Sequence, residues 1–146
     1  VTEIREVWAA DTAALRQQVL RPYLTVEQVL EESDDAPGIA VYDGERVVAC
    51  ASVRAEPMPD DPRDGDWRLR GMASAPDVRG QGHGAAALTY ALDYAKARGA
   101  QRVWCNARTG AVGFYEKHGF TTIGEEFDVG VIGPHYLMAR STSGSM

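Results

Sequence analysis

The chain has 146 residues, a net charge of −6 and two cysteines. That length suits one domain burying roughly two thirds of its unfolded surface, and the acidic balance argues against nucleic-acid binding, which needs a basic face. No apolar run approaches the roughly 20 residues of a membrane span, no basic-then-apolar stretch marks a signal peptide, and Cys50 and Cys105 are too few for a disulfide scaffold or a cysteine zinc site. A cytoplasmic protein with no metal site and two buried, reduced thiols is expected.

Thr2 to Trp8 alternates as a strand does, and Asp11 offers a helix N-cap. Thr25-Val26-Glu27-Gln28 has the capping-box pattern and predicts a second short helix running to about Ser33. Ile39 to Tyr42 and Arg46 to Val53 are strand-like and flank Asp43-Gly44-Glu45, a hairpin signal because Asp-Gly readily takes positive φ. Glu56 to Asp66, rich in Pro, Asp and Gly, reads as a mobile loop within one domain. Trp67 to Ser74 is a further strand, closed by a turn at Ala75-Pro76-Asp77.

The helix predicted over Ala86 to Arg98 carries Ala87, Leu88, Ala91, Leu92 and Ala95 as a narrow stripe of small apolar residues suited to lying on a sheet, and Gly99 is its C-cap. Arg102 to Ala107 alternates as a strand, Thr109 is expected to cap a fourth helix ending at Gly119, and Phe120 to Ile123 and His135 to Ala139 supply the last strands. The order β-α-α-β-β-β-α-β-α-β-β predicts an α/β (mixed α+β) fold, with helices on both faces of a mixed sheet. Residues 1–140 are expected to form a single domain, followed by a polar, disordered tail at 141–146.

Between the third of these helices and the strand before it lies Arg79-Gly80-Gln81-Gly82-His83-Gly84-Ala85. Glycines remove the side chains that keep a ligand off the backbone and let successive N–H groups point into one concavity. The helix behind adds unpaired amides and the positive end of its dipole, so a phosphate or pyrophosphate is the natural occupant. A Walker-type loop is excluded because no Lys followed by Ser or Thr closes it. The dinucleotide fingerprint is formally met by Gly80, Gly82 and Ala85 but lacks the acidic residue expected at the end of the next strand, which finishes in Asn106-Ala107-Arg108. An Arg there suits a 2′-phosphate, so that reading is weakened and stays open.

Arg79-x-x-Gly82-x-Gly84, preceded by Pro76 and followed by Phe114-Tyr115-Glu116-Lys117-His118-Gly119-Phe120, resembles the acetyl-CoA-binding core of the GNAT superfamily of N-acetyltransferases. The resemblance covers Trp67 to Phe120, extends toward Met138 and is only architectural before residue 45. Leu69-Arg70-Gly71-Met72-Ala73 and Gly133-Pro134-His135-Tyr136-Leu137-Met138 look like signatures of a bacterial subgroup and point to no particular substrate. The resemblance implies a GNAT-like central mixed sheet of about six to seven strands, splayed between the fourth and fifth, with acetyl-CoA as cosubstrate. The backbone of Met72, Ala73 and Ser74 is expected to run beside the pantetheine arm, and the amides of Arg79, Gly80, Gln81, Gly82, His83, Gly84 and Ala85 to take the pyrophosphate. Arg79 and Lys117 supply local positive charge. This chain carries Arg108 where relatives often have Asn, leaving both Asn106 and Arg108 as cofactor contacts.

The reaction the resemblance implies is acetyl transfer from acetyl-CoA to a primary amine by direct attack. A catalytically silent acyl-CoA-binding module and a dinucleotide-binding oxidoreductase are the alternatives. Tyr115 is the expected catalytic residue. A thiol near pKa 8.5 and a phenol near 10 make full proton transfer to the leaving thiolate uphill by roughly 2 kcal/mol, so stabilising charge on sulfur is its safer role. A lysine-like amine must lose a proton first, a deficit of roughly 4 kcal/mol at neutral pH. Many relatives use a Glu near the strand before the glycine loop, but Trp67 to Ala73 contains no carboxylate. His135 suits best by intrinsic pKa, ahead of Glu126, Asp128 and Asp66.

Two ideas about the acceptor oppose each other. Arg16, Arg21, Arg54 and Arg70 converging on a cleft would select a carboxylate-bearing amine such as an amino acid, whereas the acidic loop Asp60 to Asp66 would attract a cationic one. A small-molecule amine or amino acid is expected in preference to a protein, with no nucleic acid or membrane partner, and a homodimer follows from the resemblance alone.

Overall fold

The computed structural model describes residues 2–33 and 37–143. Its elements follow the expected order: β1 (Thr2–Val7), α1 (Ala9–Leu20), α2 (Val26–Glu31), β2 (Gly38–Asp43), β3 (Arg46–Ala55), β4 (Asp66–Ser74), α3 (His83–Ala97), β5 (Arg102–Arg108), α4 (Val112–Glu116), β6 (Thr121–Asp128) and β7 (Pro134–Ser141). Short 3-10 turns occupy Pro76–Val78, Thr109–Ala111 and Gly130–Ile132. The seven strands form one mixed sheet in the order β1-β2-β3-β4-β5-β7-β6. The chain divides into two compact units, Val1–Arg54 with Leu69–Tyr94, and Ala55–Arg68 with Ala95–Met146.

In the first unit, local chemistry sets the element ends. The Thr25 hydroxyl accepts the Gln28 amide at 3.1 Å while the Gln28 side chain accepts the Thr25 amide at 2.8 Å, the capping box read from sequence. Asp11, read as the N-cap of α1, instead stands in its first turn, and the cap position is Trp8. The Asp11 carboxylate reaches back to accept the Trp8 amide at 3.1 Å, from where its charge also favours the helix dipole. In the β2–β3 hairpin Asp43 lies opposite Arg46, and Gly44 takes φ +64° as the first residue of a two-residue turn.

Leu15 of α1 packs with Cys50 of β3 and Ala73 of β4, with Val19, Leu20 and Val47 around them. The stripe on α3 is buried as its spacing predicts, Ala87, Leu88, Ala91 and Ala95 completely and Leu92 in part. That helix begins at His83, three residues before the predicted Ala86, and so draws Gly84 and Ala85 into its first turn.

In the second unit, α3 ends in a Schellman motif: Ala100 N–H bonds Ala95 O at 3.0 Å, Gly99 N–H bonds Lys96 O at 3.1 Å, and Gly99 takes φ +94°. Strands β4 and β5 run parallel, with Asp66 opposite Arg102, Trp67 opposite Val103 and Arg68 opposite Trp104. Their ladder ends there, as a splay between the fourth and fifth strands requires. β7 lies antiparallel to β5 and to β6, and the β6–β7 register shifts between Ile123 and Phe127. All eight residues of β6 are exposed.

The stretch Glu56 to Asp66, read as mobile, is pinned. Met58 is 2% exposed and its cluster includes Trp104 and Ala139. The Trp104 indole N–H donates to Glu56 O at 2.8 Å. Thr109 does not cap α4: its hydroxyl donates to Glu126 at 2.7 Å, and the helix starts only at Val112 after a 3-10 turn. Residues 141–143, read as the start of a polar tail, are tied in. Ser141 ends β7, and Thr142 bonds Gln101 O through its amide and Ala100 O through its hydroxyl. The rest of that tail, 144–146, lies outside the described residues.

Candidate functional site

The glycine loop occupies the first unit between the 3-10 turn at Pro76–Val78 and α3. Gly80 and Gly82 take φ +86° and +87°, and a Cβ built on either meets no atom within 4 Å. Arg79, Gly80, Gln81 and Gly82 are exposed, and His83, Gly84 and Ala85 half-buried. The first helical bond of the turn, Ala86 N–H to Gly82 O at 3.0 Å, leaves the amides of His83, Gly84 and Ala85 ahead of it. These are the conditions for an anion nest: positive-φ glycines, open space over the backbone and a helix N-terminus. Upstream, Ala73 is buried while Met72 and Ser74 are half-buried on β4.

A cavity of about 110 Å³ also lies in the first unit, walled by α1, α2 and the strands. Arg16, Arg21 and Arg70 line it together with Glu32; Arg54, the fourth arginine singled out in the sequence, does not. Gly71, at φ +64° in β4, forms part of the wall, and the ideal Cβ position there is 3.3 Å from Arg16 Cδ.

In the second unit, Tyr115 of α4 is 7% exposed and meets Phe114 and Phe120 edge-to-face, at centroid distances of 5.3 and 5.4 Å. Burial, with a smaller contribution from Cys105, pushes its phenol well above the ordinary tyrosine range, so it is a neutral O–H. His135 of β7 is 6% exposed, stacks on Phe127 at 5.9 Å and lies opposite Arg108 in the β5–β7 register. Its Nδ1 is 2.9 Å from Gly133 O. A carbonyl only accepts, so Nδ1 carries the proton and Nε2 the lone pair in the neutral ring. Asn106 and Lys117 are exposed and Arg108 half-buried.

Asp66 is ruled out as a base. Its side chain is 1% exposed; burial alone would raise its carboxyl, but hydrogen bonds from Arg102 and from the amides of Met58 and Arg63 outweigh that and hold it at about 2. Glu126 is exposed and engaged by Thr109, and Asp128 is exposed at the end of β6. Both thiols are buried, and burial raises each to about 12.

Comparison with known proteins supplies the deciding observation: the profile of the acetyltransferase (GNAT) family matches residues 2–120. The chain belongs to the GNAT family. It is 34% identical over 143 residues to the uncharacterized N-acetyltransferase YitI of Bacillus subtilis (strain 168), covering 95% of each protein. The ribosomal-protein-S18-alanine N-acetyltransferase of Escherichia coli superposes with a TM-score of 0.75 at 18% identity, over 100% of this chain and 97% of that one. N-acetylglutamate synthase of Neisseria gonorrhoeae, solved with coenzyme A and N-acetyl-glutamate, superposes with a TM-score of 0.72 at 15% identity, over 97% of this chain and 35% of that one. The protein is thus an acetyltransferase of the GNAT fold, a family that uses acetyl-CoA.

Within this GNAT chain, sequence reading missed Glu32, Thr12, Ser33 and Ser52 as wall residues of the cavity. The wall is drawn from α1, the end of α2, β3 and β4, and only the arginines among its members carry a chemical signal readable in isolation.

Proposed function

We propose that the chain is an acetyl-CoA-dependent N-acetyltransferase that transfers the acetyl group to a primary amine by direct attack on the thioester, with residues 1–140 acting as one catalytic domain in the cytoplasm. The observation that carries this reading is the pair Gly80 and Gly82, held at positive φ with open space above them, directly before the free amides of α3. In this reading the amides from Arg79 to Ala85 hold the pyrophosphate, and Met72 to Ser74 offers backbone to the pantetheine. Arg79 and Lys117 supply positive charge that the overall acidic protein lacks. Asn106 and Arg108 stand as further cofactor contacts.

Tyr115 is assigned the stabilisation of the departing thiolate. Its raised pKa supports that role in one direction only. A phenol that keeps its proton stays present as an O–H donor to charge developing on sulfur and is a poor source of the proton itself. His135 is assigned to take the amine proton through Nε2, the nitrogen left without a proton by the Gly133 bond. A small-molecule amine is the acceptor this reading favours.

Calorimetric titration with acetyl-CoA, run on the wild type and on Tyr115→Phe and followed by thiol release over an amine panel, tests it. Submillimolar binding by both proteins with turnover lost only in the variant is the expected result. Absence of binding by either overturns the reading of the glycine loop. Tight binding without turnover on any amine would instead make the chain a silent acyl-CoA module.

A further inference from the structure

Asp77 stands in the 3-10 turn at Pro76–Val78, two residues before Arg79 and so at the entrance to the glycine loop. It is the only acidic residue between Asp66 and Asp93. Two Cα steps span at most about 7.6 Å, so a carboxylate at 77 is within reach of a guanidinium at 79. Acid and arginine at this spacing pair elsewhere in the chain: Arg5 Nε donates to Glu3 at 2.8 Å, and Arg63 Nη2 to Asp61 at 2.9 Å. Where other partners compete, they do not. Asp66 and Arg68 have the same spacing, but Asp66 is bonded to Arg102 and Arg68 to Glu56.

Asp77 belongs to the second kind. Arg46, the first residue of β3, donates from Nη1 to Asp77 Oδ2 at 2.8 Å and from Nη2 to Oδ1, a fork that occupies both carboxylate oxygens. Hydrogen bonding from Arg46 holds the Asp77 carboxyl below the ordinary carboxylate range. Arg79 is exposed, and among the described residues its side chain has no hydrogen bond or ion pair.

The turn is held by other means. Ala75 N–H bonds Val48 O at 2.8 Å, Val78 N–H bonds Ala75 O at 3.2 Å, and Val78 packs against the cluster of Leu15, Cys50, Ala73 and Ala75. The side chains of Arg46 and Asp77 are 52% and 60% exposed, and exposed ion pairs contribute little to stability. The consequence of the fork is therefore electrostatic: it decides which charge the glycine loop presents.

We propose that Arg46 is a positioning residue for the cofactor. By occupying Asp77 it keeps Arg79 unpaired and cancels the acid nearest the loop in sequence, so that Arg79 meets the pyrophosphate with its charge intact. The inference rests on the reading of the glycine loop as the pyrophosphate site. Without Arg46, Asp77 either captures Arg79, which must then give up that pair to reach phosphate, or repels the phosphate directly; both weaken binding.

The test is calorimetric titration of acetyl-CoA into the wild type, Arg46→Gln, Asp77→Asn and the double variant Arg46→Gln/Asp77→Asn. Each is run at an ionic strength of about 0.01 M, where the Debye length is about 30 Å, and at about 1 M, where it is about 3 Å. Arg46→Gln is expected to bind about three- to fivefold more weakly than the wild type at low salt, the scale of one exposed ion pair, with a smaller difference at high salt. The double variant is expected to return to within about twofold of the wild type, because the carboxylate that Arg46 restrains is gone. Asp77→Asn alone is expected to bind at least as tightly as the wild type.

Wild-type affinity in Arg46→Gln overturns the proposal. So does a loss that persists in the double variant, since Arg46 would then touch the cofactor or support the turn itself. Weaker binding by Asp77→Asn, or a loss in Arg46→Gln of the same size at both ionic strengths, overturns it as well. Failure of the wild type to bind acetyl-CoA sinks the reading of the glycine loop and this proposal with it, whereas wild-type binding with an indifferent Arg46→Gln sinks only this one.

Discussion

Asp66 and Arg102 stand opposite each other in the parallel β4–β5 ladder and are joined by two hydrogen bonds, of 2.7 Å from Nε and 2.9 Å from Nη2. The same carboxylate accepts the Met58 and Arg63 amides, and Arg102 also donates to Asp61 O, so one pair anchors the whole Glu56 to Asp66 stretch. Removing one member of a buried pair strands the other charge. Arg102→Leu is expected to cost about 3–5 kcal/mol in urea unfolding. A loss below about 1 kcal/mol would mean that solvent reaches Asp66 freely.

The pair also fixes an acid limit. Asp66 titrates at about 2 in the folded chain and near 3.9 when unfolded, so its folded pKa is depressed. Its contribution is complete above the unfolded value and is lost as pH falls from about 4 toward 2, amounting to about 2–3 kcal/mol. Stability measured between pH 6 and 2 is expected to fall less steeply in Asp66→Asn, which starts from a lower plateau. Parallel curves for the two proteins would remove Asp66 from the acid transition.

Much of the fold was legible where the chemistry is local. Thr25 and Gln28 are three residues apart, and the turn at Gly44 is contained in four, so propensity and pattern suffice. The failures share the opposite property. Asp66 reads as a base until Arg102, 36 positions on, is beside it, and Thr109 reads as a cap until Glu126 accepts its hydroxyl. Met58 looks like part of a loose acidic stretch because nothing nearby announces Trp104 and Ala139. For the candidate site the glycine motif was visible in sequence, whereas the arginine-lined recess required folding to assemble α1, α2 and β4.

Gly82→Ala separates ligand cost from packing cost. With no atom within 4 Å of the added Cβ, the folded protein loses only the backbone preference, about 1–2 kcal/mol for an L residue at positive φ. Acetyl-CoA affinity is expected to fall by about tenfold or more, because the methyl projects into the space assigned to phosphate. Unchanged affinity would move the phosphate site elsewhere.

For Tyr115→Phe the expected loss in kcat is about 10²–10³-fold with little change in KM, the scale of removing one donor from developing charge. Steady-state thiol release measures it. A variant that retains wild-type kcat would leave Tyr115 as an aromatic packing residue between Phe114 and Phe120.

Cys50 and Cys105, both raised to about 12, are expected to resist a thiol reagent at pH 8 in the native protein and to react fully in urea. Rapid modification of either without denaturant would reveal local opening of β3 or β5.

The outermost strand, β6, ends the sheet with an unpaired backbone edge, and Ile123 and Phe127 are exposed along it. Such an edge is a template on which a stray chain can add itself. Here Gly124 at φ +76° falls within the register shift, and Glu125, Glu126 and Asp128 crowd the same stretch, so an approaching strand meets a kink and like charge together. This protection against self-aggregation is both steric and ionic.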